Sequence, residues 1–427
     1  TSALAAIGRR SDRFIAAWIW NRAGLRAPQE PAPVSGALEL GPVPAGEWNV
    51  TWWDTLQGHP TTRTTINHPG GPLELPTPPV GREAAVVLVR RAADGAGPGR
   101  AEAGPRVGVR GNRFVTPDGE PVLFRGLCLA DPDKLAREGR WNRALFAAVK
   151  GMGANLVRLP VHPSAWRSRT PDGYLKLLDE AVDWCGSLGL YVIIDWHSIG
   201  NLPAGMFQDP MYETTVPETL AFWRTTARHF RGRPTVAFYE LFNEPTHFNG
   251  MLGPMSWTEW RNLNEEMIGV IRYWDRETIP LVAGFDWAYD LDPVRYEPVR
   301  AEGIGYVAHP YPDKRPRPWE PKWEEDFAFA ADRYPMIATE IGFSLPAGGT
   351  VGDDDYGNRI TRFLESRGIG WMAWVFDPDW RPQLLRSFDG FALTGSGEFF
   401  RQALQRAPAP PGTPPAPAAP APSHFHP

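Results

Sequence analysis

The sequence predicts an α/β protein, a (β/α)8 TIM barrel preceded by a small β-sandwich-like module. Short apolar runs recur eight times from residue 122 onward. Amphipathic stretches of helical length separate most of them, the alternation expected of a parallel sheet. Before residue 92 the pattern differs: short alternating or β-branched runs lie between Gly, Pro and Asn turns, which argues for strands alone. An open doubly wound sheet is the alternative for the second pattern, but no Gly-rich phosphate loop follows its first strand.

The accessory module covers residues 1–91. Strands are read in Ala45–Thr55, which holds Trp48, Trp52 and Trp53, and in Ala84–Arg90, while Ser11–Trp20 fits a helix or a strand. Trp52 and Trp53 must point to opposite faces of a strand, so at least one is buried, which favours a bracing role over sugar binding. Residues 92–106 are Ala, Gly, Pro and charge without periodicity and read as a linker. Residues 107–406 form the barrel, which opens with a hairpin over Val107–Pro121 turning at Pro117-Asp118-Gly119.

Its strands are Val122–Leu127, Ala154–Leu159, Leu190–Trp196, Val236–Asn243, Pro280–Gly284, Ile304–His309, Met336–Glu340 and Gly370–Phe376. Its helices include Trp141–Met152, Tyr174–Leu188, Glu218–Phe230, Trp257–Trp274, Lys322–Ala331 and Tyr356–Ser366. The span suits the ~250 residues typical of the fold. Residues 407–427 are a Pro/Ala-rich tail that cannot bury apolar surface and is expected to be extended or disordered.

Composition narrows the function. With 42% hydrophobic and 22% charged residues the chain reads as globular. A net charge of −5 without a basic stripe argues against nucleic acid. No apolar run reaches the ~20 residues of a membrane span. Cys128 and Cys185 have no partner at metal-site spacing and read as buried thiols. The 19 Trp supply flat apolar faces suited to sugar rings, although most belong to a core.

In such a barrel, function belongs at the carboxyl ends of the strands. Polar residues ending the apolar runs are Arg158, His197, Asn243 with Glu244, His309 with Tyr311, and Glu340; Trp374 lies near the end of the last strand. Glu244 and Glu340 are the pair that matters. A carboxylate at the end of a buried strand is costly unless a site uses it, and two of them can serve as the acid and the nucleophile or base of glycosidic-bond cleavage. Loop aromatics Trp166, Phe207, Trp257, Trp287 and Trp380 are candidates for further sugar platforms.

The chain resembles glycoside hydrolase family 5, the cellulase-type barrels, over roughly Val107–Gln405. The resemblance rests on Asn155-Leu156-Val157-Arg158-Leu159-Pro160, Asp195-Trp196-His197, Asn243-Glu244-Pro245, His309-Pro310-Tyr311, Thr339-Glu340-Ile341-Gly342 and Trp374. It implies that Glu244 is the general acid/base and Glu340 the nucleophile of a retaining enzyme. It also places Asn243 at the sugar 2-hydroxyl, His197 and His309 on other hydroxyls and on the carboxylates, and Trp374 under the sugar beside the cleaved bond. Arg158 and Tyr311 are expected to hold Glu340 ionised, leaving the proton on Glu244. The Trp-Trp-Asp-Thr segment looks like small accessory β-domains attached to some glycosidases.

The expected function is therefore a retaining hydrolase of β-1,4-linked glucan, endo-acting, without cofactor or metal, monomeric, without nucleic-acid or membrane partners, and secreted because a polymer cannot enter a cell. A β-mannanase or exo-acting glycosidase of the same family is the nearest alternative. The loop Ser198–Thr215 can line an open cleft or close a pocket. A carbohydrate-binding protein without catalysis, or a metal hydrolase using His197 and His309, are the alternatives of other classes.

Overall fold

The structure is a computed structural model that describes residues 3–11, 14–24, 29, 31–56, 59–90, 101–246, 252–345, 352 and 355–408. The chain divides into two compact units, Thr1–Arg100 and Ala101–Pro427. Residues 92–100 of the stretch read as linker, and nearly all of the Pro/Ala-rich tail, lie outside the described residues.

The first unit is all-β. Strands β1 (Leu4–Arg10), β2 (Phe14–Asn21), β3 (Ala37–Val43), β4 (Gly46–Asp54), β5 (His59–His68), β6 (Gly71–Pro76) and β7 (Glu83–Arg90) make a five-stranded sheet, ordered β1-β2-β7-β4-β5, and a β3-β6 pair. The segment Ser11–Trp20, ambiguous by periodicity, is largely strand β2. Trp48, Trp52, Val86 and Leu88 fill one core together with Leu38 and Leu75 of the β3-β6 pair. Trp52 is buried and Trp53 is half-buried, as strand alternation requires.

In the second unit, Glu102, within the stretch read as linker, accepts hydrogen bonds from Arg233 Nε at 2.7 Å and from Thr235 N at 2.9 Å. A hairpin of β8 (Gly108–Arg110) and β9 (Arg113–Val115) follows. Eight parallel strands then close a barrel: β10 (Arg125–Cys128), β11 (Leu156–Val161), β12 (Tyr191–Trp196), β15 (Val236–Glu240), β17 (Ile279–Ala283), β18 (Gly305–Val307), β19 (Met336–Ile341) and β20 (Gly370–Ala373). Short strands β13 (Ile199–Asn201), β14 (Met206–Phe207) and β16 (Glu244–Pro245) form a small sheet of their own. The ladder of β10 begins three residues later than the apolar run Val122–Leu127 suggests, and the run read as the helix Lys322–Ala331 is a helix over Glu320–Asp326 followed by a 3-10 turn.

The barrel interior is plugged at its amino end by the hairpin. Phe114 meets Phe124 and Phe238 edge-on, with centroids 5.9 and 4.9 Å apart. Side chains alternate along each strand, so a residue two positions beyond an inward apolar one also points inward. Leu156, Ile193, Phe238 and Ile337 belong to this inner cluster. Arg158, Asp195, Glu240 and Thr339 follow two positions on, all fully buried.

Candidate active site

Arg158 sits at the centre of a buried charge network. Its Nε donates to Glu240 Oε2 at 2.7 Å and its Nη1 to Glu340 Oε1 at 2.8 Å. Its Nη2 donates to Asn243 Oδ1 at 2.6 Å and to Glu240 Oε1 at 3.0 Å, and lies 3.0 Å from Asp195 Oδ2. A buried charge persists only when paired in this way. Because Arg158 claims the oxygen of Asn243, the amide Nδ2 faces away from it, buried and without a partner among the described residues.

Glu340 reaches the mouth through an irregularity. Strict alternation along β19 would turn Glu340 outward after Thr339. The register with β20 shifts between Ala338 and Ile341, and Ile341 instead joins the outer core. Such a bulge re-aims one side chain. Both Glu340 oxygens are engaged, Oε1 by Arg158 and Oε2 by the Tyr311 hydroxyl at 2.7 Å. Burial nevertheless pushes the Glu340 carboxyl above its ordinary range, against His309 and Arg158 and with the help of Glu244. The expectation that Arg158 and Tyr311 alone settle its ionisation is too simple.

Glu244 stands on β16, which pairs with β13 so that Ile199 lies opposite it. Its backbone N–H donates to Ser198 O, and that of Asn243 to Trp196 O, both at 3.1 Å. The close approach of β14 requires Gly200, where a Cβ would meet Met206 O at 2.4 Å. His309 Nδ1 lies 2.9 Å from Glu244 Oε1, and Nε2 lies 3.0 Å from Thr339 Oγ1. The Thr339 hydroxyl donates to Glu240 Oε1 at 2.9 Å, so it accepts from His309 Nε2–H. Nδ1, when protonated, then donates to Glu244 Oε1. Burial opposes a charged imidazole, but Glu340, Glu240 and Glu244 outweigh it, and the pKa of His309 rises to about 9.

An aromatic wall completes the mouth. Trp374 stacks on His197 with centroids 5.3 Å apart and planes 7° from parallel, and on Trp380 at 5.9 Å. His197 Nδ1 is 2.6 Å from Asp195 Oδ2, and burial holds the imidazole well below its ordinary pKa. It is therefore neutral, with Nδ1–H on Asp195 and Nε2 left as an acceptor. Lys134 Nζ bridges Asp377 and Asp379 at 2.9 and 3.0 Å and fixes the turn bearing Trp380.

The predicted residues Arg158, His197, Asn243, Glu244, His309, Tyr311, Glu340 and Trp374 thus fall into one connected cluster. Among the loop aromatics, Trp380 joins the wall. Trp287 lies in a turn where Asp286, Trp287 and Ala288 all have φ between 54° and 57°, and its N–H donates to Gln208 Oε1 at 2.9 Å. Phe207 is half-buried on β14. Trp166 is core, edge-on to Phe222, and Trp257 packs edge-on to Phe285. Glu240, Thr339 and Tyr212 were not singled out by sequence reasoning; Tyr212 lies near His162 and His197, with centroids 5.6 and 6.1 Å apart. Glu240 carried a signal, being a charge inside an otherwise apolar strand.

Comparison with known proteins agrees with this geometry. Residues 115–379 match the family described as Cellulase (glycosyl hydrolase family 5). Endoglucanase E-5 of Thermobifida fusca is 26% identical over 403 residues, covering 87% of this chain and 77% of that protein. The β-glucanase SdGluc5_26A from Saccharophagus degradans is 43% identical with a TM-score of 0.69, over 71% of this chain and 94% of that one. That β-glucanase is also known in complex with cellotetraose. A barrel with this arrangement of side chains, matched along 265 consecutive residues, places the chain in glycosyl hydrolase family 5, as an O-glycoside hydrolase.

Proposed function

We propose that the protein is a retaining, endo-acting hydrolase of β-1,4-linked glucan, with Glu340 as nucleophile and Glu244 as acid/base. One observation carries this reading: carboxylate oxygens of Glu244 and Glu340 lie within 4.8 Å of each other, together with His309 Nδ1. Retaining enzymes hold their carboxyls about 5–5.5 Å apart, whereas inverting ones leave room for water at about 6.5–9.5 Å. The names of the relatives support the substrate class.

In the first step a Glu340 oxygen bonds the anomeric carbon as the bond to the leaving oxygen breaks. That oxygen takes a proton from Glu244. Glycosylation removes the charge of Glu340, which lowers the proton affinity of Glu244. Glu244 then takes a proton from water as the water oxygen displaces Glu340, and two inversions give net retention. The free Nδ2 of Asn243 is suited to donate to the sugar 2-hydroxyl, and the Nε2 of His197 to accept from another hydroxyl, with Trp374 as the apolar floor.

A metal reading has one point in its favour, since three ligand atoms of Glu244, His309 and Glu340 cluster. Against it, the Glu340 oxygens already accept from Arg158 and Tyr311, and a guanidinium beside the site repels a cation. The enzyme works without a cofactor in this reading, so a chelator leaves the rate unchanged. It acts as a monomer outside the cell, where its polymer is found. The decisive test is reducing-end release from carboxymethyl-cellulose, mannan and laminarin, with product sizes and the anomer of the first product read by NMR. Rapid loss of chain length on the cellulose derivative and a β-anomer first are expected; an α-anomer first, or mannan alone as substrate, overturns the proposal.

A further inference from the structure

Glu240 on β15 is fully buried, yet it stands behind both carboxylates of the mouth. One connection runs through Arg158. Its Nε and Nη2 donate to Glu240 at 2.7 and 3.0 Å, while Nη1 of the same guanidinium holds Glu340 Oε1 at 2.8 Å. The other runs through a hydroxyl and an imidazole. Thr339 Oγ1 lies 2.9 Å from Glu240 Oε1, His309 Nε2 lies 3.0 Å from Thr339 Oγ1, and His309 Nδ1 lies 2.9 Å from Glu244 Oε1. Thr339 and His309 are fully buried as well, so bulk water does not compete for these bonds.

The direction of each bond in the second chain is forced. Burial opposes the charge of Glu240, but Arg158 and His309 outweigh it and hold the carboxyl below its ordinary range. An ionised carboxylate only accepts, and a hydroxyl has one hydrogen to give. Thr339 therefore spends its hydrogen on Glu240 and offers His309 only a lone pair. Nε2 must then carry a proton in both charge states of the ring. Glu240 Oε1, 3.7 Å from Nε2, is too far to accept directly but favours the same proton by its charge. The nitrogen left to gain and lose a proton is Nδ1, which faces Glu244. Glu340 lies 3.8 Å from that nitrogen, and Asp195 and His197 also feel the charge on the ring.

We propose that Glu240 is a positioning residue for the acid/base step: through Thr339 it pins one proton on His309 Nε2, so that Nδ1, against Glu244, is the nitrogen whose proton comes and goes. A neutral ring then offers Glu244 a lone pair and holds the protonated acid. A charged ring offers a proton and holds the carboxylate. The opposite neutral tautomer would favour the carboxylate in both states and weaken the acid. The role of Glu244 rests on the catalytic reading above; the bond directions do not.

Long-range proton–nitrogen NMR of the full chain, labelled at the histidine nitrogens, tests this above pH 9, where His309 is neutral. The His309 signal is identified by its loss in His309→Gln. The wild type and Thr339→Ser should show a proton on Nε2 and a bare Nδ1. Glu240→Gln turns an amide N–H toward Thr339, reverses the hydroxyl, and should move the proton of the neutral ring to Nδ1. Thr339→Val leaves the pairing of Arg158 with Glu240 intact and should give a mixture of the two tautomers. Its turnover on glucan should fall about tenfold relative to that on an activated aryl cellobioside, the scale of one hydrogen bond to a charged group. A bare Nε2 in the wild type, an unmoved proton in a folded Glu240→Gln, or pure Nε2–H in Thr339→Val overturns the relay. Equal losses on both substrates in Thr339→Val reduce Thr339 to a structural residue and overturn its part in the acid/base step. Should the tautomers behave as expected while Glu244→Ala hurts both substrates equally, the acid/base assignment fails and the relay stands.

Discussion

The two ends of the barrel interior are built by the same strands and do opposite work. At the amino end Leu156, Ile193, Phe238 and Ile337 pack against the hairpin's Phe114 and the neighbouring Phe124. Two residues further on, the same strands present Arg158, Asp195, Glu240 and Thr339, a layer of charge and hydroxyl that supports the carboxylates above it. One end buries apolar surface and holds the barrel closed. The other holds charges out of water, where they are costly unless paired and where pairing sets their proton affinities. Stability and chemistry are separated by about 7 Å of strand.

That separation can be broken at its charged end first. Glu340→Ala should lower turnover by about five orders of magnitude, the scale of losing a nucleophile, while the melting temperature stays near wild type because Arg158 keeps Glu240 and Asp195. Azide added to this variant should give an inverted glycosyl azide. Near-normal hydrolysis would remove Glu340 from the reaction. Glu244→Ala should cost about 10²–10⁴ on glucan and far less on activated aryl glycosides, which need no proton. Equal losses on both would argue against its acid role.

The apolar end gives the converse test. Phe238→Ala should destabilise the fold by about 3–5 kcal/mol, read by denaturant unfolding, with turnover per folded molecule preserved. A large loss of turnover there would mean that the two ends are coupled. Gly200→Ala is a smaller, intermediate case. It pushes β13 away from Met206 and thereby shifts Glu244, with an overpacking strain of about 1–3 kcal/mol. Turnover should fall by more than the change in melting temperature implies.

The pH profile sharpens the comparison with the least intervention. The high-pH limb should fall near 9, where His309 loses its proton. The low-pH limb should lie above the ordinary glutamate value of 4.5, since burial raises Glu340. For stability the sign is fixed by His309. Its folded pKa of about 9 exceeds its ordinary 6.5, so its contribution is fully present below 6.5 and declines as pH rises through about 9. Melting curves of His309→Gln should lack that decline.

Much of this was legible in the chain itself. All eight barrel strands announce themselves as short apolar runs, because strands covered by helices are buried on both faces. The catalytic candidates stand out as polar residues closing those runs. Less legible were features that depend on partners distant in sequence. Periodicity alone would turn Glu340 outward, and only the shift against β20 brings it to the mouth. Glu240 looks like a stray charge until Arg158 is seen beside it. The raised pKa of His309 depends on three carboxylates from two other strands and a loop strand. The aromatic candidates divided according to packing that no spacing rule reveals, with Trp380 at the mouth and Trp166 in the core.

The pairing of β13 with β16 ties two tasks together. The loop from Ser198 to Thr215 is hydrogen-bonded to the backbone of Glu244, the proposed acid/base. On the proposed roles, remodelling this loop for a new preference also moves Glu244. Engineering for another polysaccharide should therefore spare Ser198–Gly200 together with Met206, Phe207, Gln208 and Tyr212, which are bonded or packed to that segment.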